Sequence, residues 1–101
     1  KIYRMRIFED DNEKMNLSLP QVGGDILSIS QFTLYADCKK GNRPSFSLAG
    51  ERHHAEKMYL YFNEYMRSLG IKVDEGIFGA DMKVRLLNDG PVTIILDSSE
   101  W

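Results

Sequence analysis

A serine and a glutamine interrupt an apolar run in the first half of the chain. In "SISQFTLY", residues 28–35, Ser30 and Gln31 stand side by side among Ile, Phe and Leu residues. A core strand presents apolar residues on its inward face, so this polar pair breaks the expected pattern. The pair could face solvent, belong to a hydrogen-bonded network of the core, or bind a polar ligand, and the residues alone leave all three alternatives open.

A second candidate group is "NDGPVT", residues 88–93, at the entry to a predicted strand. Gly90 has no side chain and Pro91 has no N–H, so this stretch presents bare backbone carbonyls. A hairpin turn is the simpler interpretation, and since only about 5 to 6% of X-Pro bonds are cis in folded proteins, the residues alone favour trans. Thr93 is a β-branched residue two positions into the strand, where a structural role needs no further explanation.

The residue types that make metal sites and nucleophilic centres are few and poorly spaced. His53 and His54 are adjacent, so on a helix their side chains point about 100 degrees apart and cannot chelate one ion together. Cys38 has no histidine near it in sequence to act as a base, which favours an inert thiol. Gly-rich phosphate loops, GxSxG elbows and metal-spaced Cys/His sets are all absent. We therefore predict no metal and no cofactor.

One basic cluster could contact RNA, namely Lys39, Lys40 and Arg43 in "CKKGNRPSF". The formal net charge is -2 and the pI is about 5.6, so the field of the whole protein does not attract nucleic acid. Any RNA contact must therefore be local. A solvated loop with ordinary lysines is the alternative interpretation.

The elements that must position these residues follow from hydrophobic periodicity. Apolar residues recur at helical spacing from Glu51 to Leu69 and Gly70 follows as a C-cap, which predicts one amphipathic helix. The face predicted to pack on a sheet comprises Ala55, Met58, Tyr59, Phe62, Tyr65, Met66 and Leu69. The other predicted elements are a hairpin of residues 4–8 and 15–19, a loop over 36–51, and strands over 25–35, 71–78, 81–87 and 91–98.

Length and composition fit one ordinary globular domain. The chain has 101 residues, of which 43% are hydrophobic and 28% charged. Its single cysteine cannot form an internal disulfide, and it has neither an apolar signal segment nor a membrane-length run, so we expect a reducing, cytoplasmic location without membrane contact. Because the chain begins at Lys1 in mid-pattern, we expect that an amino-terminal part is missing.

Four strings of residues together resemble the D-aminoacyl-tRNA deacylase family, homodimeric proofreading enzymes that hydrolyse D-amino acids from tRNA. In order, the strings are "SQFTLYAD", "GNRPSFS", "FGADM" and "NDGPVTIILDS", and the similarity runs from about Arg6 to Ser98. The resemblance implies one compact α/β domain over residues 1–101, with a mixed, largely antiparallel sheet curled like a barrel and one main helix packed on it. Family members also carry further strands and a helix at the amino end, which this sequence lacks.

The resemblance further implies the residues of a catalytic pocket for the tRNA 3′ end that carries the D-amino acid. The residues that would line this pocket are Ser30, Gln31, Phe32 and Thr33. Gly90 and Pro91, joined by a cis bond, would reach across the homodimer into the partner's site. Phe78, Met82 and Ala49 match positions that shape the adenosine pocket.

Ester hydrolysis needs a positioned water and stabilisation of the developing oxyanion. Thr93 could be an activated nucleophile, but its motif supplies no base. We favour water attack assisted by the 2′-hydroxyl of the RNA, with backbone donors near Gln31 and Phe32 holding the oxyanion. Two rival functions are a binding module that holds nucleic-acid ends in the same pocket without catalysis, and a non-catalytic structural fragment.

Overall fold

An antiparallel hairpin forms the first sheet. The computed structural model describes residues 1–101. Strand β1 (Phe8–Glu9) pairs antiparallel with β2 (Met15–Leu17), which confirms the predicted hairpin with shorter strands. The Asp10 carboxylate organises the turn because it accepts hydrogen bonds from the backbone N–H groups of Lys14 at 3.1 Å and Asn12 at 2.8 Å. These bonds favour the carboxylate and lower the pKa of Asp10 from its ordinary value.

A parallel pair of strands joined by the main helix forms the second unit. Strand β3 (Ile26–Ser28) pairs with β4 (Val73–Glu75), and helix α1 (Arg52–Ser68) lies between them in the chain. Parallel strands require such a crossover connection because they run in the same direction. The domain is therefore mixed α/β with one α-helix, as predicted. Its strands form two separate two-stranded sheets, however, and a barrel-like curl is not seen.

The strand predicted over residues 25–35 is wrong beyond Ser28. There the chain leaves the sheet, and Phe32–Tyr35 form a 3-10 helix. The physical reason is the short partner, because β4 ends at Glu75 and offers no further backbone for a ladder. Short 3-10 helices also occur at Ile2–Arg4, Pro20–Val22 and Ser98–Glu100.

Both ends of α1 are capped, and its bounds confirm the predicted helix. The Glu51 carboxylate accepts hydrogen bonds from the backbone N–H groups of His53 and His54, each at 2.9 Å, which satisfies two donors that are otherwise unpaired at a helix N-terminus. Gly70 has a φ of 87°, the left-handed conformation that commonly ends helices and that glycine adopts at little cost.

We expect Glu51→Gln to destabilise the fold in a pH-dependent way. The hydrogen bonds from His53 and His54 lower the pKa of Glu51 from its ordinary value of 4.5. A carboxylate whose pKa is lowered on folding stabilises the folded state above its unfolded pKa, and this stabilisation is lost as the pH falls through the folded pKa. The melting temperature of the variant should lie below that of the native protein at neutral pH and approach it well below pH 4.5. A difference that stays constant across this range would contradict the prediction.

The hydrophobic core is small. Its four buried side chains are Leu19, Met66, Ile71 and Val73, against which Tyr3, Phe8, Ile26 and Phe62 pack. The predicted apolar face of α1 is too wide, because Met58 is 50% exposed and Tyr65 is 52% exposed. The parallel sheet has only two short strands, so it covers a narrow stripe of the helix and leaves these side chains in solvent.

Polar side chains fix α1 on β4. Asn63 is fully buried, and its Nδ2 donates a hydrogen bond of 2.7 Å to Oε2 of Glu75. The Arg67 guanidinium donates to the backbone carbonyl of Val73 at 2.7 Å and to Glu75 at 3.3 Å. The carboxyl end of β4 is therefore tied to the helix by hydrogen bonds from two successive turns.

Residues 83–97 lie outside any helix or strand and are here named the C-terminal segment. The strands predicted over 81–87 and 91–98 are wrong, since residues 81–96 form no backbone–backbone hydrogen bond. Alternating apolar residues become a strand only where another strand lies alongside, and none does so here. Leu87 and Ile95 are consequently 90% and 89% exposed. No helix of the chain has both the length and the apolar composition that crossing a membrane requires.

Candidate functional site

The carboxyl ends of β3 and β4 meet at one edge of the parallel sheet. Residues 30–33 follow β3 and are here named the first wall, and residues 78–82 follow β4 and are named the second wall. Ligands of open α/β sheets characteristically bind outside this edge. The two walls together therefore bound the candidate site.

The side chains of the first wall are accessible. Gln31, Phe32 and Thr33 are exposed and Ser30 is half-buried. The Gln31 amide nitrogen donates to the Thr33 hydroxyl, and neither Ser30 nor Gln31 forms a side-chain hydrogen bond with the core. Of the three alternatives for this polar pair, a core network is therefore excluded. Solvent exposure and ligand binding remain.

The backbone of the first wall also has free donors. The N–H groups of Gln31 and Phe32 donate no hydrogen bond to the rest of the chain. The Phe32 ring meets the Phe46 ring edge to face with centroids 5.1 Å apart, which ties the following loop to this wall. The first wall thus combines unpaired backbone donors with an aromatic anchor.

Apolar side chains join the second wall to the residue that precedes the first wall and to α1. A Cβ atom built on Gly76 would overlap the Met82 sulfur and would come 3.4 Å from Cδ1 of Ile29, so Met82 and Ile29 lie close together above Gly76. The Phe78 ring lies beside the Tyr59 ring with centroids 6.1 Å apart. The structure therefore places Met82 near Ile29, the residue just before Ser30, and Phe78 beside Tyr59 of α1.

Tyr59 joins the two strand ends, a contact that the sequence analysis missed. Its hydroxyl donates a hydrogen bond of 2.6 Å to the Ser28 carbonyl and accepts one of 3.2 Å from the Gly76 N–H. Periodicity places Tyr59 only on the inner face of α1. The signal that could have indicated this role is the tyrosine itself, because a buried tyrosine hydroxyl usually has a hydrogen-bond partner.

Arg52 places a positive charge beside the second wall and was also missed. Gly79 has a φ of 77°, and a Cβ atom built on it would lie 2.9 Å from Nη2 of Arg52. Arg52 forms no ion pair with an acidic side chain. No sequence signal indicates this contact, because it depends on how the start of α1 meets a loop far along the chain.

The loop over residues 36–51 carries the basic cluster. Backbone hydrogen bonds of 2.7 and 2.9 Å between Asp37 and Ser45 close this loop at its base. Lys39, Lys40 and Arg43 are exposed between these two residues and form no ion pair. The cluster is thus held on a closed loop with its charges unpaired.

Cys38 and Ala49 belong to the same loop, and His53 and His54 belong to the first turn of α1. A groove of about 310 Å³ beside the loop is lined by Ala36, Asp37, Cys38, Lys39 and Leu48. Ala49 is half-buried and donates its backbone N–H to the Phe46 carbonyl at 3.0 Å, but no hydrogen bond joins it to the second wall. Cys38, His53 and His54 are exposed, and no three metal-binding side chains come together.

The segment from Gly90 to Thr93 is not joined to either wall by a hydrogen bond. The Gly90–Pro91 bond is cis, as the family resemblance implied and contrary to what the residues alone favoured. Gly90 has a φ of 120°, and Gly90, Pro91 and Thr93 are all exposed on the C-terminal segment. Two of the predicted site segments thus follow neighbouring strand ends, whereas no hydrogen bond links the third segment to them.

Comparisons with known proteins agree on one family. The family model described as D-Tyr-tRNA(Tyr) deacylase matches residues 1–97. A D-aminoacyl-tRNA deacylase of Bifidobacterium animalis subsp. lactis is 61% identical over 100 residues, which cover 99% of this chain and 63% of the relative. One of Halothermothrix orenii is 55% identical over 100 residues, which cover 99% of this chain and 67% of the relative.

A solved structure has the same fold. The protein titled c-Myc DNA Unwinding Element Binding Protein superposes with a TM-score of 0.83 at 42% sequence identity, over 97% of this chain and 67% of that one. The chain thus spans about 63% of the length of the Bifidobacterium animalis relative and 60% of that of a Bifidobacterium longum relative.

Proposed function

The chain belongs to the D-Tyr-tRNA(Tyr) deacylase family, and from this premise we propose that it hydrolyses the ester bond of D-aminoacyl-tRNA. The products are a free D-amino acid and tRNA, so the reaction proofreads aminoacyl-tRNA before translation. The observation that supports the proposal is that two family segments, the first and second walls, both follow the paired carboxyl ends of β3 and β4. This is the edge at which α/β proteins characteristically bind ligands.

The chemistry of the two walls supports a division of the substrate between them. The first wall offers an amide, hydroxyl groups and free backbone N–H groups, which suit the polar aminoacyl ester. The second wall offers the ring of Phe78 and the thioether of Met82, and aromatic side chains stack on nucleic-acid bases. We assign the terminal adenosine to this wall, with Ala49 of the neighbouring loop extending the pocket.

The mechanism we favour is direct attack by water. A water molecule adds to the ester carbonyl, negative charge develops on the carbonyl oxygen, and a proton of the water passes by way of the 2′-hydroxyl to the ribose oxygen as its bond to the carbonyl carbon breaks. The unpaired N–H groups of Gln31 and Phe32 are candidates to stabilise that charge. The 2′-hydroxyl of the RNA assists the water, so the reaction requires no protein nucleophile.

Thr93→Ala is expected to reduce single-turnover hydrolysis by no more than about tenfold, roughly 1.4 kcal/mol in activation free energy. Thr93 forms no hydrogen bond with a histidine or a carboxylate that could activate its hydroxyl. Removal of a true nucleophile costs orders of magnitude. A covalent aminoacyl-Thr93 adduct, trapped and located by mass spectrometry, would contradict water attack.

We propose that the complete site requires a homodimer. Gly90 and Pro91 of one subunit would reach into the partner's site and exclude L-amino acids. The C-terminal segment supports this proposal, because its residues 83–95 are exposed and form no hydrogen bond with either wall of their own chain. A dimer would also bury part of the apolar surface that Leu87 and Ile95 expose.

RNA binding is expected to be weak and local, through Lys39, Lys40 and Arg43. Neutralising about three phosphates of a single strand predicts a slope of roughly -2 for log affinity against log salt. The double replacement Lys39→Glu/Lys40→Glu should raise KM more than it lowers kcat. The control Lys14→Glu/Lys57→Glu changes the net charge equally at exposed lysines outside the loop, and an equal rise in KM there would contradict the local contact.

The experiment that tests the function is incubation of the protein with paired D- and L-aminoacyl-tRNA, scored by loss of the ester. We expect hydrolysis of many D-aminoacyl-tRNAs, some hydrolysis of achiral glycyl-tRNA, and essentially none of L-aminoacyl-tRNA. Equal rates on D and L substrates would contradict the proposal.

A second candidate function is nucleic-acid binding without catalysis. The observation in its favour is the solved relative whose title names a DNA-element-binding protein, together with the unpaired basic cluster of the loop. The same experiment discriminates the two functions, because a binding module retains the tRNA but leaves D and L esters intact.

A further inference from the structure

The Tyr59 hydroxyl lies where the paired strands β3 and β4 separate. The last residues in register are Ser28 and Glu75, and the last direct backbone bond runs from the Gly76 N–H to the Ser28 carbonyl at 3.3 Å. The Tyr59 oxygen accepts from the same N–H at 3.2 Å and donates to the same carbonyl at 2.6 Å. One hydroxyl therefore bonds both strands at the point where they part.

Each wall of the candidate site begins within two residues of these bonded groups. Ser28 is two residues before Ser30, where the first wall starts, and Gly76 is two residues before Phe78, where the second wall starts. The Tyr59 ring also lies beside the Phe78 ring, at a centroid distance of 6.1 Å. The position of Tyr59 is in turn fixed by α1, which Arg67 ties to β4.

We propose that Tyr59 is a positioning residue that sets the separation of the two walls and thereby places the ester against the backbone donors of the first wall. The inference rests on the proposed deacylase function. Tyr59 does not contact the reacting atoms in this assignment; it acts through Ser28 and Gly76. A shift of about 1 Å at a site can cost about a hundredfold in rate. Removal of the Tyr59 hydroxyl should therefore slow the chemical step.

The test is Tyr59→Phe, which keeps the ring and removes only the hydroxyl. We expect kcat for D-aminoacyl-tRNA to fall about ten- to a hundredfold while KM changes by less than about threefold, because the basic loop that binds RNA is unaltered. Incorporating 4-aminophenylalanine at position 59, whose amino group can donate to the Ser28 carbonyl, should restore much of kcat.

The matched control is Tyr61→Phe on the same helix. Tyr61 is 62% exposed and stacks on Tyr65, and its hydroxyl forms no hydrogen bond, so this variant should keep the native kcat. A readout independent of activity is hydrogen exchange at the Gly76 amide, measured by NMR. It should become faster in Tyr59→Phe and stay unchanged in Tyr61→Phe.

The outcomes separate the inference from the proposed function. A native protein that does not hydrolyse D-aminoacyl-tRNA contradicts the function itself. A native protein that does so, with a Tyr59→Phe variant of equal kcat, overturns only the inference. Loss of the fold in Tyr59→Phe, judged by circular dichroism, also overturns it, because the hydroxyl would then serve folding.

Discussion

Replacing Gly90 by alanine is expected to abolish hydrolysis of D-aminoacyl-tRNA while leaving the fold intact. Gly90 has a φ of 120°, and an added Cβ would lie 3.3 Å from the backbone nitrogen of Val92. Alanine must therefore leave this conformation or hold it at a cost of about 1 to 3 kcal/mol. Because Gly90 lies in the exposed C-terminal segment, the chain can adjust locally, and this adjustment turns the neighbouring carbonyl groups.

The role proposed for these carbonyl groups explains why turning them stops the reaction. If the carbonyls of Gly90 and Pro91 hold the α-amino group and the first wall holds the ester, two directions around the α-carbon are fixed. A D side chain then points to open space, whereas an L side chain runs into the Gly-Pro backbone. Such exclusion discriminates better than the ~1 to 3 kcal/mol available from a pocket tuned to one methylene. Under this proposal, selectivity arises by rejection of the L substrate.

The measurement is single-turnover hydrolysis of matched D-, L- and glycyl-tRNA, with folding checked by circular dichroism. We expect a fall of at least about a hundredfold on the D substrate. The control Gly23→Ala also changes a glycine with positive φ, 65°, but with no atom within 4 Å of the added Cβ, and should keep its activity. If the Gly90→Ala protein folds and keeps full D-selective activity, Gly90–Pro91 is only a turn and takes no part in selecting the substrate.

Met66→Ala is expected to lower the free energy of unfolding by about 2 to 5 kcal/mol. Met66 is 3% exposed and is one of only four buried hydrophobic side chains. Its truncation removes apolar contacts and leaves a cavity in a core too small to refill it. For a domain whose whole stability is about 5 to 15 kcal/mol, this is a large fraction.

The control for this prediction is Met58→Ala on the same helix. Met58 is 50% exposed, so its truncation should change the free energy of unfolding by no more than about 0.5 kcal/mol. Urea unfolding followed by circular dichroism measures both values. Equal losses at the two positions would contradict the narrow core stripe that the structure assigns to α1.

The helix was predictable because its signals are local. Spacing along the chain, the acceptor at Glu51 and the left-handed Gly70 all act within one or two turns of α1. Which of its apolar residues are buried was not predictable. That depends on the width of the sheet beneath the helix, and Met58 and Tyr65 meet solvent because two short strands do not reach them.

The strands were harder to predict than the helix, because their pairing is not a local property of the chain. The alternation in residues 81–87 indicates which face a strand would bury, but not which neighbour it would pair with. The candidate site likewise combines segments that are local in sequence with contacts that only the fold creates. The two walls are runs of neighbouring residues that the family strings contain, whereas the Tyr59 bridge and the contact of Arg52 with Gly79 join residues far apart in the chain.

The exposed C-terminal segment has a consequence for how the polypeptide behaves in concentrated solution. An extended run with unpaired N–H and C=O groups is a template for strand addition by any other chain. Lys83 and Arg85 alternate with apolar residues in the first half of the segment, and their charges disfavour such pairing. Residues 92–96, Val-Thr-Ile-Ile-Leu, contain no charge and only residues that favour strands or packing. If no other strand covers this short run, aggregation should begin there. Covering it with another strand should therefore allow the protein to be concentrated further.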